Sequence, residues 1–90
     1  MQDIIFGMVD SVIDGDTFII NVREAYKLNQ SNYNRLERIR IANVDFEELD
    51  TFRGTRDKAK LESVLQGRVV RCTVQSRDTF GRVVADVNVI

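Results

Sequence analysis

Apolar residues recur along this chain in short runs bounded by turn chemistry, the spacing of strands rather than helices. Positions 6–13 (FGMVDSVI) and 17–22 (TFIINV) are apolar and rich in β-formers, and together they predict a hairpin. Asp14-Gly15-Asp16 between them is turn chemistry, with a glycine free to take positive φ. Positions 24–34 are polar, with three Asn, one Gln and one Ser, and predict a long exposed loop. Positions 37–44 alternate as a third strand. Positions 55–65 predict the one helix, with Ala59, Leu61, Val64 and Leu65 as its apolar stripe. Gly54 or Thr55 caps its start and Gly67 sits at the C′ position. Positions 68–75 (RVVRCTVQ) predict a fourth strand, 78–81 a turn and 82–89 (RVVADVNV) a fifth. The order β-β-β-α-β-β predicts a mainly β fold with one helix. It suits a small five-stranded OB-fold barrel with the helix between the third and fourth strands.

Ninety residues make one domain, spanning 1–90. An apolar fraction of 43% is enough for a core and argues against disorder. A chain this short buries a modest share of its surface, so modest stability is expected. No run approaches membrane-spanning length, and the first eight residues lack a signal peptide's basic and apolar segments. Cys72 is the only cysteine and lies in an apolar run, which predicts a small buried hydrophobe rather than a reactive thiol.

Histidine is absent, which changes the picture more than any other count. It removes Ser-His-Asp triads, Cys-His pairs and His-ligated zinc. A catalytic base must then be a carboxylate, Lys, Tyr or a metal-bound water, and a metal site must be oxygen-rich. Such a site favours calcium, magnesium or manganese. The net charge of −1 counts mildly against a nucleic-acid partner, but thirteen basic residues remain to form a patch.

Three segments carry candidate chemistry. Each alone has a plainer reading. Asp14-Gly15-Asp16 is a hairpin turn, and Asp45, Glu47, Glu48 and Asp50 form a solvated acidic loop. Arg38 and Arg40 face outward from a strand, and Arg82 is a hairpin residue. Arg53, Arg56, Lys58 and Lys60 are a solvated helix face. Phe6, Phe18 and Phe52 are core or loop anchors. Taken together, the segments offer carboxylates for a hard metal ion and arginines for a phosphate, which points to phosphodiester hydrolysis.

Asp14-Gly15-Asp16-Thr17, Arg40 leading into Val44-Asp45-Phe46-Glu47-Glu48, and Asp78-Thr79-Phe80-Gly81-Arg82 resemble the staphylococcal nuclease (thermonuclease) family in order and approximate spacing. The resemblance spans roughly positions 9–89, with the helix in its expected place. It implies an OB-fold nuclease domain using Ca2+ to cut DNA and RNA at the 5′ P–O bond, leaving 3′-phosphate ends. It implies Asp16 and Asp45 as metal-binding aspartates, with the backbone carbonyl of Phe46 as a further ligand. Arg40 and Arg82 match the phosphate-contacting arginines, and Glu48 matches the glutamate that activates or orients the attacking water. Asp14 remains turn chemistry or a support behind the metal. Calcium takes roughly six to eight oxygens, so this set leaves room for waters and a substrate phosphate oxygen.

The chain departs from the family pattern at three places. Glu47 stands where the family has proline, and Phe46 where it usually has a small or hydroxyl residue. Either Glu47 or Glu48 could face the metal, and spacing favours Glu48. Phe80 stands where some members have tyrosine. Catalytic members also continue into helices after the fifth strand, which predicts a truncated barrel with an uncovered edge or apolar surface, and self-association. Arg40 and Asp45 have opposite strand parity, so they can share a site only if the chain turns or bulges near Val44. The rival expectation is a non-catalytic nucleic-acid-binding or scaffold module on the same barrel. A protein-interaction domain that binds no nucleic acid is the third.

Overall fold

In the computed structural model, residues 2–27, 32–42 and 58–90 are described. Five strands and one helix follow in the order the pattern predicts: β1 (Ile4–Val12), β2 (Thr17–Tyr26), β3 (Leu36–Ile41), α1 (Lys58–Leu65), β4 (Val69–Arg77) and β5 (Val83–Val89). The strands close into a barrel in the order β1-β2-β3-β5-β4. This is an OB-like arrangement. β1 pairs antiparallel with β2 along its length and with β4 over Ile4–Met8. β3 and β5 complete the ring as the parallel pair, through Ile39↔Val83, Arg40↔Val84 and Ile41↔Ala85. Closure pairs each of the described strands on both sides, which removes the uncovered strand edge expected from the sequence. Among the described residues no helix is long and apolar enough to cross a membrane.

Alternation along the strands fills the barrel. Ile5, Val9 and Val12 come from β1, Phe18 and Ile20 from β2, and Ile39 from β3. Val70 and Cys72 come from β4, and Val83, Ala85 and Val87 from β5. Burying each large apolar side chain contributes roughly 1.5–3 kcal/mol. Inward positions on β1 are odd-numbered as far as Val9 and then shift to Val12, because a register shift between Val9 and Ser11 inserts one residue. The helix adds Leu61 and Leu65 to the core, while Ala59 of the expected stripe is exposed. Gly67 ends the helix with φ 74°, as its C′ position predicts, and the Arg68 N–H bonds the Leu65 carbonyl at 2.9 Å.

The bounds differ most from the sequence expectation in β2 and β3, while β1 starts two residues earlier at Ile4 and β4 runs two further to Arg77. The second strand does not stop at Val22. Glu24, Ala25 and Tyr26 continue it by pairing with Phe6, Ile5 and Ile4, and Tyr26 packs edge-on against the Phe6 ring at 5.9 Å. The expected loop is shorter by those residues. The third strand begins one residue earlier and runs to Ile41, where the Ala42 N–H bonds the Ala85 carbonyl at 2.8 Å. It carries Glu37 at an inward position in step with Ile39.

A second register shift in β1 lies between Phe6 and Gly7, where β1 approaches β2 too closely for a side chain. A Cβ on Gly7 would lie 2.5 Å from the Asn21 carbonyl oxygen and 3.2 Å from Ile20 Cδ1. Gly7→Ala must therefore move backbone. A loss of about 1–3 kcal/mol is expected from urea unfolding, and an unchanged midpoint would contradict the close approach. Cys72 is fully buried, and burial pushes its thiol up to about 12. Native protein should stay unlabelled by a thiol reagent at neutral pH and react fully in denaturant; rapid labelling under native conditions would show the core to be open.

Candidate functional site

The turn between β1 and β2 builds one side of the site. Asp14 closes it by accepting the Asp16 N–H at Oδ1, 3.1 Å away, while the N–H groups of Ile13 and Asp14 both donate to the Thr17 carbonyl. Partial desolvation raises the Asp14 carboxyl, but hydrogen bonding with Asp16 and Thr17 outweighs it and holds the group below its ordinary value. Asp14 is thus the turn's own clasp. Asp16 is left at the rim of the barrel, with its carbonyl accepting the Ile41 N–H at 2.9 Å. That bond extends the β2–β3 register, in which Thr17 stands opposite Arg40.

Cross-strand pairing therefore brings Arg40 to Asp16, with Nε 3.9 Å from Oδ2. Both side chains are substantially exposed, at 48% and 36%, so this ion pair contributes at most about 1 kcal/mol. Arg82 reaches the same carboxylate from the other side through Thr17. Its Nη1 donates to Thr17 Oγ1 at 3.2 Å, and that hydroxyl donates to Asp16 Oδ1 at 3.1 Å. One guanidinium, from β3, thus pairs with the carboxylate, and a second, from the hairpin before β5, reaches it through the Thr17 hydroxyl.

Arg82 is tightly held from its own hairpin. Its Nε donates to Asp78 Oδ2 at 2.8 Å and its backbone N–H to Asp78 Oδ1 at 2.9 Å. Asp78 Oδ1 also accepts the Phe80 N–H, and the Arg82 guanidinium lies over the Phe80 ring, 5.4 Å from its centre. Asp78 occupies the Nε position and leaves the Nη end directed at Thr17. Arg38, which shares the Arg40 face of β3, donates to the Phe80 carbonyl at 2.6 Å and ties the hairpin to β3.

Of the residues expected from sequence, Asp16, Arg40 and Arg82 come together. Asp45, Phe46 and Glu48 lie outside the described residues, as do Glu47 and the turn required near Val44. Among the described residues no three His, Cys, Asp or Glu side chains group as a metal set, and Asp16 is the one expected ligand on view. Sequence reasoning missed three participants. Thr17 stands in the first motif with no role of its own, yet its hydroxyl is the buried link between Asp16 and Arg82. Asp78 opens the third motif, also without a role; its spacing of four from Arg82 is the available signal. Glu37 counted only as a strand residue, though its parity with Ile39 marks an inward carboxylate that needs a partner.

That partner is Arg77, which makes a two-armed contact with Glu37. Nη1 lies 3.1 Å from Oε1 and Nη2 3.3 Å from Oε2. The Asn34 N–H also donates to Glu37 Oε2, at 2.7 Å. Among the described residues no buried side-chain nitrogen or oxygen lacks a partner. No family model, curated protein or solved structure matches the chain.

The site has an acid limit. Slight desolvation raises the Asp78 carboxyl, but the Arg82 and Phe80 N–H groups and the Arg82 guanidinium outweigh it and lower the group below its ordinary 3.8. A carboxyl lowered on folding adds stability that is complete above about pH 3.8 and is lost as pH falls through the lower, folded value. The amide signals of Phe80 and Arg82 should hold steady down to that range in an NMR titration, then move together. Midpoints at or above the ordinary carboxylate value would contradict the clasp.

Proposed function

We propose that this chain is a calcium-dependent nuclease domain that hydrolyses phosphodiester bonds in DNA and RNA. The observation that carries the reading is the convergence of Arg40 from β3, and of Arg82 from the hairpin between β4 and β5 through Thr17, on Asp16 in the first turn. Guanidinium groups match phosphate oxygens in geometry and charge, and a carboxylate between them is a hard oxygen donor suited to calcium. The resemblance of the three motifs to the staphylococcal nuclease family supports the same assignment, and a chain without histidine leaves oxygen donors as the natural ligands.

In this reading Asp16 supplies one carboxylate ligand, and Asp45 with the Phe46 carbonyl supplies the rest of the protein's share. Calcium, when bound, polarises the phosphate and lowers the charge cost of attack. Arg40 and Arg82 hold the non-bridging oxygens and offset the charge that develops in the transition state. Asp78 keeps Arg82 extended, so its Nη end meets the phosphate without first reorganising. Glu48 receives the proton of the attacking water, or orients that water for attack.

The test is cleavage of single-stranded DNA and RNA with calcium and with a chelator. Cleavage should require the metal. Arg40→Ala and Arg82→Ala should each lower the rate about 10²–10³-fold. A folded protein that cleaves neither substrate with calcium, and whose behaviour is unchanged by Glu48→Ala, would overturn the reading. Salt-dependent binding without cleavage would replace it with the non-catalytic nucleic-acid-binding or scaffold module.

A further inference from the structure

The Glu37–Arg77 pair lies outside the proposed phosphate site, yet it touches the residue that precedes Arg82. Arg77 Nη1 donates to the Gly81 carbonyl at 2.8 Å as well as to Glu37 Oε1 at 3.1 Å. The peptide joining Gly81 to Arg82 is therefore held at both ends. Its carbonyl accepts from Arg77, and its N–H, which belongs to Arg82, donates to Asp78 Oδ1 at 2.9 Å. Gly81 has φ 83°, a conformation that other residues rarely adopt. The plane of that peptide sets the direction in which the Arg82 side chain leaves the backbone.

Glu37 is what makes Arg77 a fixed post. Its carboxylate is 3% exposed and sits on β3, inside the barrel wall. It grips both terminal nitrogens of Arg77, and the Tyr33 ring lies 5.9 Å from the guanidinium. β3 thereby holds two successive hairpin carbonyls: that of Phe80 directly through Arg38, and that of Gly81 through Glu37 and Arg77. The same strand carries Arg40. Both arginines of the site are thus referenced to one strand.

We propose that Arg77, braced by the buried carboxylate of Glu37, is a positioning residue that fixes the Gly81–Arg82 peptide and so aims Arg82 at Thr17 and the phosphate. The proposal rests on the reading of Arg82 as a phosphate-holding residue, but the aiming itself is observable without activity. Arg77→Lys keeps the charge beside Glu37, but a single ammonium lacks the planar fork that serves Glu37 and Gly81 together. The double variant Arg77→Met, Glu37→Met removes the post without leaving a buried charge unpaired.

The experiment follows the Arg82 and Arg40 Nε–Hε signals by NMR in the native chain and both variants, alone and with inorganic phosphate added. The native-like fold is checked by thermal unfolding. In a folded variant the Arg82 signal should move or broaden while that of Arg40 stays, and phosphate should bind about tenfold more weakly. Cleavage of single-stranded DNA should fall in kcat with little change in KM. Adding Arg82→Ala to the double variant should cost far less than the same change in the native chain. An Arg82 signal that stays put in either folded variant would overturn the proposal, whether or not the native chain cleaves DNA. If the native chain does not cleave, a shifted Arg82 signal still upholds the aiming role while the nuclease reading falls.

Discussion

Barrel closure rests on a short stretch of parallel pairing between β3 and β5, three residue pairs long. The meeting of Arg82 with the Asp16–Arg40 pair depends on it. Arg40 reaches Asp16 through the β2–β3 register, but Arg82 enters from the hairpin between β4 and β5. Without closure the two arginines would belong to opposite edges of an open sheet. Parallel strands cannot be joined by a tight turn, so this contact brings together chain segments about forty residues apart, at a substantial cost in loop entropy. Side chains reinforce the backbone pairing: Arg38 to the Phe80 carbonyl, Arg77 to Glu37, and Arg82 to Thr17. The arginines that give the surface its chemistry also hold the seam together.

Most of the architecture was legible in the sequence because inward positions alternate and the turns carry their expected residues. Thr17 to Ile20 and Val83 to Val87 show the pattern clearly. It failed where tertiary pairing overrode local composition. Glu24, Ala25 and Tyr26 fall in the polar stretch expected as a loop, yet β1 provides each a partner and the strand runs on through them. It failed again at Glu37, a charge on the core face of β3, which only makes sense once Arg77 lies opposite. For the site, the motifs identified the arginines and Asp16 but not the residues that aim them. Apart from the Asp78–Arg82 clasp within one hairpin, that support comes from hydrogen bonds between segments distant in sequence, such as Arg82 to Thr17 and Arg77 to Glu37, and no spacing rule within one segment contains those.

Charge in this small domain is organised by position rather than by amount. A net charge of −1 says little about binding when acidic groups are consumed internally. Glu37 is inside the wall, Asp78 is clasped to its own hairpin and Asp14 is turned into its loop. Arg38 and Arg40 meanwhile stand exposed on one face of β3. Glu37 and Asp78 are each matched by an arginine, Arg77 and Arg82, and Arg40 pairs with Asp16, so local pairing rather than the overall count sets the field that a polyanion meets.

Cys72 is a core residue, one small side chain among those filling the barrel. Its seclusion also leaves the exterior of the native protein chemically blank toward thiol reagents, since it is the chain's only cysteine. A cysteine placed at an exposed position such as Asp10 or Phe80 would then be the single reactive handle. Fluorophores or spin labels could be attached there without first deleting a native thiol, and the barrel interior would remain as it is. The fold thus comes ready for distance measurements between the hairpin and the rest of the barrel.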